Sequence, residues 1–100
     1  MARDDIHDGE LLDVAVLIPE HVVFRSFAQE TVALNLRTGR FHGLNGTAGR
    51  MLQLVQRCQR PRDAVAPLAS EYGVSPEEIA RDLENLLTLL LERELIGISR

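Results

Sequence analysis

Residues 31–36 alternate, with Val32, Leu34 and Leu36 on one side and Thr31, Ala33 and Asn35 on the other. That two-residue period is the signature of a half-buried strand. Arg37-Thr38-Gly39-Arg40 follows, and a glycine late in a short loop supplies the positive φ that closes a hairpin with a bulge. Residues 40–44 are then the return strand. Upstream, residues 21–27 set Val22 and Phe24 against Val23, Arg25 and Phe27, a first strand whose inward face the pattern leaves open. The pair Ala28-Gln29 turns it into the hairpin, so the three runs form an antiparallel meander with residues 40–44 at an edge.

The hydrophobic period then lengthens. Asn45 is a short polar acceptor suited to capping a helix that begins near Thr47, and over 47–58 Met51, Leu52, Leu54, Val55 and Cys58 gather on one side. Pro61 suits the first turn of a second helix with the stripe Val65, Leu68, Ala69 and Tyr72. Pro67 inside it predicts a kink or a late start, and Gly73 closes it. Ser75-Pro76-Glu77-Glu78 combines a cap, a first-turn proline and a capping-box glutamate, opening a third helix that runs to about residue 94. The short turn Tyr72-Gly73-Val74-Ser75 between the last two helices has helix-turn-helix spacing. The reading is an α+β, winged helix-turn-helix-like fold, a three-stranded antiparallel sheet followed by three helices. Residues 1–18 read as a flexible lead and 19–100 as the domain. Residues 1–10 are charged and aperiodic, whereas 11–18 form an apolar run able to cover the core until Pro19 stops it. The tail 98–100 is a candidate fourth short strand.

Two features exceed what such a fold needs. In the third helix Ile79, Leu83, Leu86, Leu87 and Leu90 fall within about 100° of one another, enough for one core-facing stripe. Leu89 lies outside it on one side and Leu91 on the other, so the apolar arc spans roughly 200° and a further contact is expected there. Gly43 sits inside the return strand, where glycine marks a bulge or a close backbone approach. An open edge beside an over-apolar helix flank is the geometry for binding a peptide by strand addition. The competing explanations are that the N-terminal segment, the sheet or a second subunit in a two-fold dimer covers the flank.

Composition narrows the classes. One hundred residues with 45% apolar and 26% charged content make one domain with a modest core. The net charge is −4, and all eleven basic residues are arginine. A winged-helix DNA-binding protein is the alternative, and its weak point is the would-be recognition helix, where Glu77, Glu78, Asp82 and Glu84 outnumber Arg81. The single cysteine, Cys58, forms no internal disulfide and suits a reducing cytoplasm. The apolar run at 11–18 is too short for a membrane span, which takes about 20 residues. His7, His21 and His42 are far apart, and no metal-ligand spacing, phosphate-binding glycine loop or nucleophile elbow is present. The sequence thus predicts a cytoplasmic, non-enzymatic protein without metal or other cofactor, and without nucleic-acid or membrane partners.

From LNLRTGRFHGLNGTAGRML onward the chain resembles the PqqD-like family, the leader-peptide recognition elements of ribosomally made and modified peptides. The resemblance covers residues 21–98. It is carried by the strand-turn-strand ending in Leu44-Asn45, the Thr47-Ala48-Gly49 helix start, Glu71-Tyr72-Gly73-Val74, and Asp82-Leu83 leading through Leu90 to Leu95-Ile96-Gly97. It implies a domain without catalysis of its own, whose precursor leader pairs with the third strand and packs on the third helix. Carried over by position, this singles out Arg40, Phe41, His42, Gly43 and Leu44 on the strand. On the helix it singles out Asp82, Asn85, Leu86, Leu89 and Arg93. Where the pyrroloquinoline-quinone member typically has a Pro-Glu pair near the hairpin, this chain has Thr38-Gly39. That departure points to a stand-alone lasso-peptide-type member, a monomer or weak dimer whose leader peptidase or modifying enzyme is a separate chain. Main-chain pairing reads no sequence, so selectivity is expected from the helix flank, with Leu86 and Leu89 holding apolar residues and Asp82 and Arg93 setting polarity.

Overall fold

The computed structural model describes residues 10–99. Strand β2 (Val22–Ser26) pairs with β3 (Glu30–Asn35), which pairs with β4 (Phe41–Asn45), all antiparallel and in sequence order. Helices α1 (Gly46–Arg57), α2 (Val65–Tyr72) and α3 (Pro76–Glu92) follow. This is the α+β arrangement expected from the sequence. The registers Ala33↔His42 and Phe24↔Ala33 fix the pleat across the sheet.

Local chemistry sets most boundaries. Gly39 takes φ 77° in the hairpin loop, while Asn35 Oδ1 accepts from the N–H groups of Arg37 and Thr38 at 2.9 and 3.3 Å. Asn45 Oδ1 accepts from the Ala48 N–H at 2.8 Å and starts α1. Ser75 Oγ does the same for the Glu78 N–H at 3.1 Å and starts α3. The second helix is a late start: Pro61–Ala64 forms a 3-10 turn, and α2 proper begins at Val65.

The core lies between the inner face of the sheet and the helices. All five residues of the α3 stripe, Ile79, Leu83, Leu86, Leu87 and Leu90, are buried, together with Met51, Leu52 and Val55 of α1 and Leu68 of α2. On β3 the buried residues are Thr31, Ala33 and Asn35, whereas Val32 and Leu34 are only half-buried and Leu36 is exposed. The more polar side of this strand therefore faces inward. Its small side chains let α1 come close: a Cβ on Gly49 would lie 2.5 Å from Thr31 Oγ1.

The N-terminal expectation needs correction. A flexible lead reaching residue 18 is not what residues 10–18 form. Glu10–Asp13 is a 3-10 turn, and β1 (Ala15–Leu17) pairs antiparallel with β5 (Gly97–Ser99) as a separate two-stranded ladder. Leu11, Leu12 and Val14 are buried in the main core, and Asp13 accepts two hydrogen bonds from the Arg62 guanidinium at 2.7 and 2.8 Å. Burial of these three aliphatic side chains acts together with the β1–β5 ladder and the Asp13–Arg62 contact against the entropy of fixing the segment. The C-terminal strand exists, but it joins β1 rather than the meander. Residues 1–9 and 100 lie outside the described part of the chain.

Candidate functional site

The antiparallel register dictates what β4 presents. The Asn35 N–H donates to the Arg40 carbonyl at 2.8 Å, so Asn35, Ala33 and Thr31 direct their backbone groups to β4. On the other side, the Leu36 N–H donates to His21 and the Phe27 N–H donates to Glu30, both at 2.7 Å. In an antiparallel ladder the bonding residues alternate. Thus His42 and Leu44 bond to β3, and the N–H and C=O groups of Phe41 and Gly43 point to the opposite edge. Among the described residues no strand lies there. This short edge is a template for one more strand.

The side chains of β4 divide by the pleat. His42 and Leu44 share the inward side with Ala33 and Thr31, and Phe41 and Gly43 share the outward side with Leu34 and Val32. Leu44 is buried in the core, while Phe41 is 70% exposed. The ten site residues expected from the sequence therefore fall into separate settings. Arg93 Nη1 lies 3.1 Å from His42 Nδ1, a contact in which the guanidinium donates and the imidazole accepts. These two line a cleft of 570 Å³ with Arg40, Asn35, Thr38, Glu92 and Glu94. Glu94 sits there in the left-handed region at φ 60°, just past the end of α3.

The remaining helix residues follow from Arg93. Leu89 is one turn before it on the same face and is 40% exposed, the only residue of the α3 leucine series with a large exposed surface among those described. Asp82 and Asn85 continue that face as exposed polar residues. Leu86, by contrast, is 9% exposed and belongs to the core. Leu91, the other residue outside the stripe, packs against the core. So the helix arc is covered on one flank and open on the other, and its end reaches β4 through Arg93 against His42.

Asn35, Thr38, Glu92 and Glu94 were not anticipated as site residues. Asn35 carries a sequence signal, since an Asn before a short Gly-containing loop both caps the turn and sits at the strand end; the glutamates carry none. Within the described residues no group of His, Cys, Asp and Glu could hold a metal ion. Among the described residues no helix is long and apolar enough to cross a membrane.

A family model described as coenzyme PQQ synthesis protein D (PqqD) matches residues 30–96. That span contains β3, β4 and all three helices. Among solved structures, the chain is similar to TbiB1 in complex with the TbiA(beta) leader peptide. The identity is 32%, coverage is 84% of this chain and 99% of that one, and the TM-score is 0.75. It is also similar to a lasso peptide synthetase B1 complexed with its leader peptide, at 27% identity over 82% and 96% of the two chains, with a TM-score of 0.76. No curated protein matches.

Proposed function

The chain belongs to the PqqD family, and from that premise we propose that it is a non-catalytic recognition element for the leader of a ribosomally made precursor peptide. The leader adds a strand to β4 and lays alternate side chains against α3. The observation that carries this reading is the pairing of an unoccupied strand edge at Phe41 and Gly43 with the one open flank of α3, at Leu89 and Arg93. Two similar structures, a TbiB1 and a lasso peptide synthetase B1, are complexes with leader peptides, which supports the same use here and favours a lasso-type precursor. A separate leader peptidase or modifying enzyme would act on the leader once it is held.

The roles follow from chemistry. Backbone groups of Phe41 and Gly43 supply sequence-independent hydrogen bonds. Leu89 offers apolar contact, and the Arg40–His42–Arg93 cleft offers donors to acidic or carbonyl groups of the guest. Ordering a disordered peptide costs about 2–5 kcal/mol, so the apolar anchor dominates the affinity. The DNA-binding alternative gains nothing from the fold, because Glu77, Glu78 and Asp82 are all exposed on the helix that would approach phosphates.

Calorimetric titration with synthetic leader peptides, the TbiA(beta) leader bound by the similar TbiB1 among them, tests the proposal. Leu89→Ala is expected to weaken binding by about 1–3 kcal/mol, the usual hot-spot scale. Arg93→Glu should weaken it too, and more at low salt when the guest segment is acidic. Unchanged affinity in both variants, with folding intact, would move the site off this helix.

A further inference from the structure

The outer face of the sheet is more apolar than a solvent-facing surface requires. Phe27, Leu36 and Phe41 are 64%, 58% and 70% exposed. Phe41, Leu34, Val32, Phe27 and Arg25 line a shallow basin of 330 Å³ on this face. In register terms, Val23, Leu34 and Phe41 form one outward row, and Arg25, Val32 and Gly43 form the next. The second row stops short at the β4 edge, because Gly43 contributes no side chain.

That gap is not a backbone requirement. Gly43 is not among the glycines with positive φ, so any L-residue fits its conformation. A Cβ there would meet only the Glu30 Oε2 atom, at 3.2 Å, the far end of a flexible arm. A strand interior without a side chain forgoes packing and β-propensity. A glycine at such a place leaves room for something that crosses it.

Resting on the strand-addition reading above, we propose that the leader is read on both faces of its strand. Its outward-pointing side chains pack on Phe41 and cross the gap at Gly43 to reach Val32. The argument is continuity. A strand paired with the free groups of Phe41 and Gly43 places the side chains opposite these two residues on the same outward side. The one opposite Gly43 finds no Cβ beside it. A large apolar side chain there covers the glycine, the cross-strand rescue of an edge glycine, and reaches Val32 in the neighbouring strand about 4.8 Å further on. The residue two positions away lies against Phe41. The guest residue between them faces α3. The preferred guest therefore carries bulky apolar groups at two alternate positions facing out, in addition to whatever Leu89 holds. Glu30, whose tip hangs over Gly43, swings aside on binding.

The test uses the full chain with two synthetic probes, the TbiA(beta) leader peptide and the leader peptide bound by the similar lasso peptide synthetase B1. Affinities are read by fluorescence anisotropy, and amide exchange at Phe41 and Gly43 is read in parallel. Phe41→Ser, at an exposed position, is expected to weaken binding about 5- to 30-fold with folding unchanged. Gly43→Val is expected to weaken it by about tenfold or more, while its denaturant midpoint stays level or rises, because valine favours a strand. Loss of affinity together with gained stability is an outcome that a merely structural glycine would not give. If a probe binds and protects the Phe41 and Gly43 amides, yet both variants bind within about twofold of the parent, the two-faced reading is overturned while strand addition stands. If neither probe protects those amides, the strand-addition reading fails, and this inference with it.

Discussion

Leu83 and Leu89 lie within two turns of α3 and do opposite things. Leu83 is fully buried, and truncation to alanine removes its packing and leaves a cavity, at a cost of about 2–5 kcal/mol. Leu89 is 40% exposed and has no such role. Denaturant unfolding should therefore show Leu89→Ala costing clearly less stability than Leu83→Ala. Equal destabilisation would mean that Leu89 is a core residue, which would leave the open flank without its anchor. Residue-scale features were also the most legible in the sequence. Asn45, Ser75 and Gly39 work through groups within four positions of themselves, so their local pattern suffices. The inward face of β3 was not legible. Thr31, Ala33 and Asn35 are buried although Val32, Leu34 and Leu36 are the more hydrophobic set. That choice is made by α1, whose close approach at Gly49 needs small partners, and no pattern within the strand records it.

The elements differ in how they are held. The three-stranded meander and the helix pair α2–α3 are built from neighbours in sequence and were readable as such. The β1–β5 ladder joins residues 15–17 to 97–99, and two three-residue runs at opposite ends of a chain carry no mutual signal. Its support is the buried Leu11-Leu12-Val14 cluster and the Asp13–Arg62 pair. The hydrogen bonds from Arg62 hold the Asp13 carboxyl below its ordinary value of 3.8. A carboxyl depressed by folding stabilises the folded state above its ordinary value, and that contribution is lost as pH falls through the depressed one. The stability difference between the parent and Asp13→Asn should thus be present at neutral pH and shrink as pH drops below 3.8. The pair is solvent-exposed, so the difference is small and screened by salt. A difference that does not change across that range would assign the clasp to the leucines alone.

At the scale of the molecule, the meander leaves one edge of β4 unpaired, and α3 keeps one flank uncovered and ends with Arg93 against His42. The sequence showed the edge, the glycine and the surplus leucine, because each breaks a local rule. It did not show that the pleat sends Phe41 and Gly43 outward and His42 inward. It also did not show that the cleft of Arg40, His42 and Arg93 is completed by Glu92 and Glu94. Those placements depend on the register between strands and on where α3 ends, which are properties of the assembled fold. The measurement that tests the central claim most directly is amide hydrogen exchange of the full chain with and without a synthetic leader. Strand addition at β4 predicts new protection of the Phe41 and Gly43 amides, whose N–H groups face the open edge, with His42 and Leu44 changing little because they already bond to β3. Protection confined to Phe24 and Ser26 on the other edge strand, or no change in β4 when the leader is bound, would contradict it.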